Sequence, residues 1–386
     1  MNLLHIITSV NPAGGGPIEA VKQLGTTLVS QGHRVEIASL DRPGAPYLEQ
    51  CPLPVFPLGP PKLGYAFSNR LIPWLRENRS RYDAVSVHGI WQFHSFASWR
   101  ALHNSNTAYV VFTHGMLDPW FKKQYPLKHL KKWMYWPWAD YRVLRDAQAV
   151  LFTCEEERVL ARQSFWLYRC NEVVVNYGTA KPTGDAQLEV GKFFGRYPEL
   201  RGKKLALFIG RVHPKKGCDM LIEAFATVLA KRPEWHLIIA GPDQVGWQKK
   251  LQHRAEKFGM ASRITWTGMI SGSIKWGALR AAEVFVLPSH QENFGIAVAE
   301  ALAAGTPTLI SDKVNIWREI QADGAGIVAE DCLSGTCELF RSYLDLPQEK
   351  KLAMRQLAGQ CFEQRFEIKK AAESLLAVLA SVTGRN

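Results

Sequence analysis

The sequence predicts an α/β protein of two doubly wound domains, each built on a parallel sheet. Three observations predict it. Short apolar runs alternate with helical periodicity along all 386 residues, the runs are continuously apolar rather than alternating, and a polar break divides them into two sets. Continuous apolar strands are typical of parallel sheets that helices cover on both faces. A chain of this length also exceeds one typical core.

Twelve apolar, β-rich runs are predicted to be the strands. They are Leu3–Thr8, Val35–Leu40, Ala84–Val87, Tyr109–Thr113, Ala149–Thr153 and Val173–Asn176, then Leu205–Ile209, His236–Ala240, Ile264–Thr267, Val284–Leu287, Thr308–Ser311 and Gly326–Val328. The break between the sets, Tyr177–Gly202, is rich in glycine, proline and charge, which is typical of a linker. We therefore place the domains at residues 1–180 and 181–366. The tail Pro347–Val382 is predicted to be helical by its periodicity.

Composition and charge narrow the function classes. A formal net charge of +12 favours anionic partners such as nucleotides or an acidic membrane face. Nucleic acid is not expected, because the positive charge concentrates beside aromatic residues without a recognition motif. No apolar stretch is long enough to span a bilayer. The segment Met1–Val10 lacks the basic region of a signal peptide. The seven cysteines are scattered along the chain, which suits a reducing compartment. We expect a cytoplasmic protein whose membrane contact would be peripheral, on the inner face.

The most informative motif is a pair of carboxylates, Glu292 and Glu300, eight positions apart with Gly295 between them. Glu292 closes the loop after an apolar strand, and Glu300 lies in the almost wholly apolar helix Ile296–Ala304. A carboxylate in such a helix costs free energy unless it has a partner. A tight glycine loop before a helix also offers unpartnered backbone N–H groups to an anion. This segment therefore predicts a phosphate cradle between two carboxylates, which suits a phosphorylated sugar compound.

In open α/β sheets, ligands bind beyond the carboxyl ends of the strands, so residues just after each strand are candidates. After the first strand comes the glycine-rich loop Asn11–Pro17, which contains Gly15 and Gly16 and either approaches a ligand or is a surface turn. Its spacing is not that of a dinucleotide-binding loop. His114 follows the fourth strand and His88 the third. Each is placed to bond a sugar hydroxyl or a reacting oxygen, or simply caps its strand.

Two cations follow the first strand of the second domain. Arg211 leaves the strand beside Gly210, and Lys216 begins a helix, so together they could neutralise a departing diphosphate. The alternative is a solvated basic turn, a description that fits Lys215 better than Lys216. The turns at Gly241 and at Thr267-Gly268 end the next two strands. Either these turns face the same ligand-binding edge of the sheet, or they are ordinary loops that end a strand.

These motifs together resemble the nucleotide-sugar half of the retaining glycosyltransferases of family 4, also called group 1. The resemblance covers residues 203–330 and rests on Gly210-Arg211, Lys216-Gly217, Gly241-Pro242-Asp243, Thr267-Gly268 and the segment Pro288–Pro307 with its Glu-x7-Glu spacing. It implies the GT-B architecture, in which two Rossmann-like domains face a central cleft. It also implies that the last helix, about residues 367–386, crosses back to pack on the first domain.

The resemblance further implies a role for each site residue. Glu300 would accept hydrogen bonds from the donor ribose and Glu292 would orient the donor sugar. Arg211 and Lys216 would stabilise the leaving diphosphate in place of a metal ion, so no metal or other cofactor is expected. His114 would contact the donor sugar. The remaining donor-binding residues would act mainly through their backbones; they are Gly15, Gly16, Gly210, Gly241, Asn293, Phe294, Gly295 and Ile296. We interpret His290 as an ordinary loop histidine.

The segment 120–145 combines aromatic and basic residues. From Asp118 to Arg145 there are seven Lys or Arg and two Asp, and four tryptophans lie within Trp120–Trp138. Leu127, Leu130 and Met134 recur at helical spacing beside lysines, which suits an anionic membrane interface. The alternative is a helix whose aromatic residues pack in the core and whose lysines are solvated.

The leading hypothesis is a retaining hexosyltransferase. It would use a nucleoside-diphosphate sugar as donor and a hydroxyl of a lipid-linked or surface polysaccharide precursor, such as an exopolysaccharide or lipopolysaccharide, as acceptor. A sugar phosphorylase or nucleotide-sugar epimerase on the same fold is an alternative, because fold does not determine reaction. A non-catalytic nucleotide-sugar-binding or scaffold protein is another, which intact Glu292, Glu300, Arg211 and Lys216 argue against.

Overall fold

The computed structural model describes residues 1–12, 15–62 and 64–384. The chain forms two compact units, the first comprising Met1–Ala180 with Ile368–Asn386 and the second Lys181–Glu367. Each unit contains one sheet in which all strand pairs are parallel. The predicted fold class, α/β with two parallel sheets, is confirmed.

The first unit has a seven-stranded sheet and the second a six-stranded one. The strands are β1 (Asn2–Ile7), β2 (Arg34–Ser39), β3 (Val55–Pro57), β4 (Ala84–His88), β5 (Ala108–Phe112), β6 (Ala149–Phe152), β7 (Glu172–Val174), β8 (Lys204–Ile209), β9 (Trp235–Ala240), β10 (Ile264–Gly268), β11 (Val284–Leu287), β12 (Thr308–Ser311) and β13 (Gly326–Ala329). Their orders are β3-β2-β1-β4-β5-β6-β7 and β10-β9-β8-β11-β12-β13. The strand order reverses beside β1 and β8, where such sheets open a ligand crevice.

Sixteen α-helices connect and flank these strands within the described part of the chain. They are α1 (Gly16–Ser30), α2 (Leu71–Asn78), α3 (Phe93–Leu102), α4 (Trp120–Gln124), α5 (Pro126–Tyr135), α6 (Asp140–Arg145), α7 (Glu155–Ala161), α8 (Ala186–Arg196), α9 (Cys218–Leu229), α10 (Gln248–Lys257), α11 (Gly272–Ala281), α12 (Ile296–Ala303), α13 (Trp317–Ala322), α14 (Leu333–Asp345), α15 (Gln348–Cys361) and α16 (Ile368–Thr383). The tail is helical as predicted, apart from a π-helical turn at Phe362–Phe366.

The first unit contains one strand that the sequence did not reveal. The prediction of six strands there is wrong because β3 pairs with β2 at the sheet edge. It has only three residues, all partly exposed, and it includes Pro57. A proline is tolerated at an edge, where no neighbour needs its missing N–H, but it removes the apolar run that identifies a strand.

The predicted linker Tyr177–Gly202 is not a simple linker, because it contains α8. Asp185 caps this helix by accepting from the backbone N–H of Leu188 at 2.8 Å. Phe193 is fully buried, and Glu189 pairs with Arg280 of α11 at 2.9 Å. A Cβ at Gly277 of α11 would collide with the backbone of Glu189. Such close helix packing makes α8 part of the second unit rather than a connector.

Helix α16 belongs to the first unit. Ile368 donates its backbone N–H to the Thr179 carbonyl at 3.1 Å, and Ser374 accepts from the backbone N–H of Asn176 at 3.1 Å. Ala371, Leu375 and other apolar residues of α16 are buried. Among the described helices, none is both long enough and apolar enough to cross a bilayer.

Candidate active site

Glycine turns bring the ends of β8, β9 and β10 together. Gly241 has φ of 143°, and a Cβ there would collide with the carbonyl oxygen of Gly210. The Gly210 N–H donates to Ala240 at 2.9 Å and the Gly241 N–H to Gly268 at 2.8 Å. Only glycine fits at position 241, because the two backbones meet where a side chain would stand.

A second tight approach brings Lys216 to Glu292. Gly217 has φ of 66°, and a Cβ there would collide with the Pro288 carbonyl. The His290 N–H donates to the Lys215 carbonyl at 2.9 Å. The turn after β8 is thus pressed against the loop after β11. As a result, Lys216 Nζ and Glu292 Oε2 form an ion pair whose side chains are only 12% and 20% exposed.

Burial shapes the charge of Lys216. Desolvation, followed by the positive charges of Lys215 and Arg211, lowers the pKa of Lys216 to about 7. Contact with the Glu292 carboxylate opposes this, because an adjacent negative charge favours the ammonium. Arg211 itself is exposed, and its guanidinium donates to Gln244 at 3.5 Å. The site therefore gathers several cations around one carboxylate, with capacity for a further anion.

The loop that carries Glu292 is held by the next strand end. The Glu292 N–H donates to the Lys313 carbonyl at 2.9 Å, and the Glu292 carbonyl accepts from Asn315 at 3.1 Å. Gly295, with φ of 78°, then turns the chain into α12, whose first residue is Ile296. The Phe294 ring is buried against Phe366, with centroids 5.6 Å apart. What this loop offers a ligand is therefore backbone, together with the half-buried side chain of Glu292.

Glu300 is buried in α12 and has a charged partner. It is 8% exposed, between the fully buried Ala299 and Ala301. Lys275 Nζ of α11 donates to Glu300 Oε1 at 2.6 Å. The partner that Glu300 needs in this apolar helix is thus a lysine of α11. Because α11 follows β10, this lysine lies in the first turn of a helix that begins at the carboxyl edge of the sheet.

His290, which we interpret as a loop histidine, has an acidic partner. Its Nδ1 lies 2.6 Å from Asp331 Oδ1, in the loop after β13. The hydrogen bond to Asp331 raises the pKa of His290, and burial opposes the rise. Asp331 is fixed in turn, because its N–H donates to Asp312 Oδ1 at 3.2 Å.

The first unit carries His114, Gly15 and Gly16. Gly15 precedes α1 with φ of 82°, and Gly16 is the first residue of that helix. Ala13 and Gly14 of the predicted loop lie outside the described residues. His114 has a left-handed φ of 48°. The buried Glu157 holds its loop by accepting from Gly115 N–H at 2.6 Å and from Thr113 Oγ1 at 2.7 Å.

Two family models match the chain. The model described as glycosyl transferases group 1 matches residues 192–353, and the one described as glycosyl transferase 4-like domain matches residues 15–178. The first match contains every site residue from Gly210 to Glu300, and the second contains His114. The chain belongs to the group 1 glycosyltransferases. The family predicted from the Glu-x7-Glu spacing and its companion motifs is therefore confirmed.

Relatives of this glycosyltransferase include two mannosyltransferases. The lipopolysaccharide core biosynthesis mannosyltransferase of Rhizobium meliloti is 29% identical over 47% of this chain and 52% of its own length. The GDP-mannose:cellobiosyl-diphosphopolyprenol alpha-mannosyltransferase of Xanthomonas campestris is 26% identical over 85% of this chain and 83% of its own. The chain thus spans about half of the first relative and most of the second.

The fold of this glycosyltransferase is shared with solved structures. Sucrose-phosphate synthase from Thermosynechococcus elongatus matches with a TM-score of 0.78 at 18% identity, over 100% of both chains. The likeness confirms a GT-B fold of two Rossmann-like domains.

Sequence reasoning missed three residues of this glycosyltransferase. Lys275 is an isolated lysine in a helix, and Asp331 is an isolated acid in a loop, so neither carries a local signal. Their partners Glu300 and His290 lie 25 and 41 positions away. His5 was read only as part of a strand, and it contacts His88. A charged residue at a position predicted to be buried indicates that it has a partner, but the sequence does not identify that partner.

Proposed function

We propose that this glycosyltransferase moves a hexose from a nucleoside-diphosphate sugar to a hydroxyl of a lipid-linked or surface polysaccharide precursor, with retention of anomeric configuration and without a metal ion. The observation that carries the proposal is the partly buried Lys216–Glu292 ion pair beside the start of α12. The pair places a cation and a carboxylate at a strand end beside the first N–H groups of a helix, a position that favours an anion.

The diphosphate would exchange partners with the ion pair. A phosphate that reaches Lys216 competes with Glu292 for the ammonium, and Arg211 adds a second cation from an exposed position. The first N–H groups of α12 supply further donors to phosphate oxygens. Glu292, released from Lys216, then accepts hydrogen bonds from the donor sugar. These cations take the role that a metal ion has elsewhere, because charge accumulates on the departing diphosphate.

The transfer itself would proceed on one face of the sugar. The bond between the anomeric carbon and the diphosphate oxygen breaks, and the acceptor oxygen bonds to that carbon from the same side. The acceptor hydroxyl gives its proton to the departing phosphate oxygen. Fixed cations and helix N–H groups favour this step since they already point at the developing negative charge.

Glu300 would anchor the ribose of the donor. The residue is 8% exposed, and Lys275 donates to one of its carboxylate oxygens at 2.6 Å. The second oxygen remains available to accept from a ribose hydroxyl, and a charged acceptor makes a stronger hydrogen bond than a neutral one. The name of the Xanthomonas relative makes GDP-mannose the first donor to test.

We further propose that α4 and α5 of the first unit rest on an anionic membrane. Leu127, Leu130 and Met134 are 82%, 61% and 69% exposed, and their spacing places them on one face of α5. The exposed Trp166 stacks on Trp133 beside them, with centroids 5.7 Å apart. This apolar face, bordered by exposed lysines and without an acidic residue on either helix, suits a membrane interface.

The aromatic and basic residues of this segment are divided between the core and the surface. Of the four tryptophans, Trp136 is fully buried in the core and only Trp138 is exposed. Lys132 lies 4.3 Å over the Trp91 ring, and burial lowers the pKa of Lys132 to about 8. The lysines that remain at the surface are Lys122, Lys123, Lys128 and Lys131.

The experiment that tests the function is a screen of UDP-, GDP- and ADP-sugars by thermal shift, followed by product analysis with the binding donor. A ligand at 100 times its dissociation constant stabilises a protein by about 2.7 kcal/mol. We expect transfer of the labelled hexose with the anomeric configuration of the donor, and undiminished transfer in excess EDTA. An inverted product, an epimerised donor, or transfer that requires phosphate or added metal would contradict the proposal.

The membrane proposal has a charge-matched test. We expect Lys122, Lys123 and Lys131→Glu to weaken binding to vesicles with anionic lipids by about 100-fold or more, because each surface lysine contributes ~1 kcal/mol. The control changes Lys249, Lys250 and Lys257 of α10 to Glu, which alters net charge equally. Equal binding by the two triple variants in a vesicle sedimentation assay would refute the assignment.

A further inference from the structure

Three histidines of the first unit, two of them buried and the third partly exposed, form a continuous hydrogen-bonded chain. His5 lies in β1, His88 ends β4, and His114 follows β5. His5 Nδ1 is 2.8 Å from His88 Nε2, and His88 Nδ1 is 3.0 Å from His114 Nε2. These three strands are neighbours in the sheet, so the chain runs across its carboxyl end from the interior toward His114.

The chain is held rigidly around its middle member. The His88 ring is stacked on Phe112 with centroids 4.9 Å apart and planes at 8°, and it is also stacked with the His114 ring. His94 Nε2 donates to the His88 carbonyl at 2.9 Å. His5 and His88 are 0% and 4% exposed. Bulk water therefore has no access to the bond between His5 and His88.

Burial keeps the three rings neutral near pH 7. It lowers the pKa of His5 and of His114 to about 4, and it lowers the pKa of His88 well below its ordinary value, with help from the neighbouring histidines. A neutral imidazole carries one proton, so it donates from one nitrogen and accepts at the other. Only two proton arrangements satisfy both shared bonds. The two differ in which nitrogen of His114 carries the proton. Among the described residues, the buried His5 Nε2 has no hydrogen-bond partner, so a proton there would be an unsatisfied donor. The favoured arrangement therefore places the proton on Nδ1 of all three rings.

His114 has one ring nitrogen left for a ligand. Its Nε2 is engaged by His88, and its Nδ1 has no hydrogen-bond partner among the described residues. If Nε2 carries the proton, Nδ1 is an acceptor, and if Nε2 does not carry it, Nδ1 is a donor. The hydrogen bond between Nε2 and His88 therefore determines the role of Nδ1. The left-handed backbone of His114 is fixed through Glu157. Its ring also packs against Phe112 and Tyr177, with centroids 5.6 and 5.9 Å away, and the hydrogen bond to His88 determines which nitrogen faces the chain.

We propose that His88 and, behind it, His5 are positioning residues for His114. Their shared hydrogen bonds fix the orientation of the His114 ring and restrict it to one tautomer, so that Nδ1 meets the substrate with a defined role as donor or acceptor. The proposal rests on the proposed contact between His114 and the donor sugar. Its first test is nevertheless independent of activity, because the tautomer is a property of the free protein.

Ring-nitrogen NMR of histidine-labelled protein provides that test. We expect the wild-type His114 nitrogens to show a single tautomer. We expect a mixture in His88→Phe, which keeps the stacking on Phe112 but cannot hydrogen-bond. His88→Asn should restore the single tautomer, since its amide places a polar atom near the lost Nδ1. Unchanged His114 signals in His88→Phe would overturn the proposal, whatever the reaction of the enzyme.

Kinetics provide the second test. We expect His88→Phe to lower kcat by on the order of 10- to 100-fold, as loss of a partner that orients a functional histidine does, with little change in KM for the donor. His5→Phe should act in the same direction and less strongly, and His88→Asn should recover most of kcat. The control is His236→Asn, a buried histidine of β9 bonded to Thr265. Loss through KM alone, or an equal loss in the control, would overturn the proposal.

Discussion

The two units differ in the polar side chains at the carboxyl ends of their sheets, which are charged in the second unit and neutral in the first. The second unit gathers charge there, in the pairs Lys216–Glu292 and Lys275–Glu300. The first unit places a chain of neutral histidines at the same edge of an equivalent sheet. Fixed charge suits a diphosphate, whose charge grows on departure, whereas neutral rings bond sugar hydroxyls without competing for phosphate. One fold thus supports two chemistries through the residues at its strand ends.

The largest effect should come from removing the central cation of the charged edge. We expect Lys216→Ala to lower kcat by about 100- to 1,000-fold, the range found when one preorganised donor to a developing anion is removed. Single-turnover transfer from the donor identified by the screen measures it. Lys215→Ala is the control, and we expect less than a tenfold change there because the variant keeps the backbone carbonyl that accepts from the His290 N–H. Equal losses in the two variants would mean that the charged edge is not specific to Lys216.

The second effect concerns donor affinity. We expect Glu300→Gln to weaken nucleoside-diphosphate binding by about 10- to 100-fold, because a hydrogen bond to a charged group contributes ~1.5–3 kcal/mol. Isothermal titration with the nucleotide alone measures this without any turnover. Glu256→Gln on the exposed face of α10 is the control. If Glu300→Gln bound as tightly as the wild type, the charged edge would serve structure only, and the contrast between the units would lose its functional meaning.

How much of this contrast the sequence could predict depends on the range of each interaction. The parallel sheets follow from local apolar runs, and β3 escaped because three residues with Pro57 form no run. Arg211, Lys216, Glu292 and Glu300 could be predicted as candidates because a strand end, a glycine turn and a helix start are local patterns. Their geometry was not predictable: the pairing of Glu300 with Lys275 and the chain from His5 to His114 arise only when distant strands and helices pack.

The third effect is a dependence of stability on pH that differs between the two units. Burial lowers the pKa of His5 to about 4, so its contribution to stability is present above its ordinary pKa near 6.5 and is lost as pH falls toward 4. We expect the first unit to lose roughly 2 kcal/mol between pH 7 and 5 from this histidine alone. His5→Phe should show a shallower loss over the same window. Hydrogen exchange of β1 and β4 peptides measures it, and equal pH slopes in both proteins would contradict the neutral chain.

The smallest effect has the opposite sign and lies in the second unit. The Asp331 carboxylate raises the pKa of His290, so the pair stabilises fully below pH 6.5 and loses its contribution as pH rises through the raised value. The imidazole is 35% exposed, which limits the pair to less than about 1 kcal/mol. We therefore expect Asp331→Asn to destabilise β13 at pH 5.5 and to be nearly silent at pH 8.5, measured by hydrogen exchange. A larger effect at pH 8.5 than at pH 5.5 would show that the pKa of His290 is lowered, as it is for the histidines of the first unit. The carboxyl edges of the two sheets would then differ only in the lysine–glutamate pairs of the second unit.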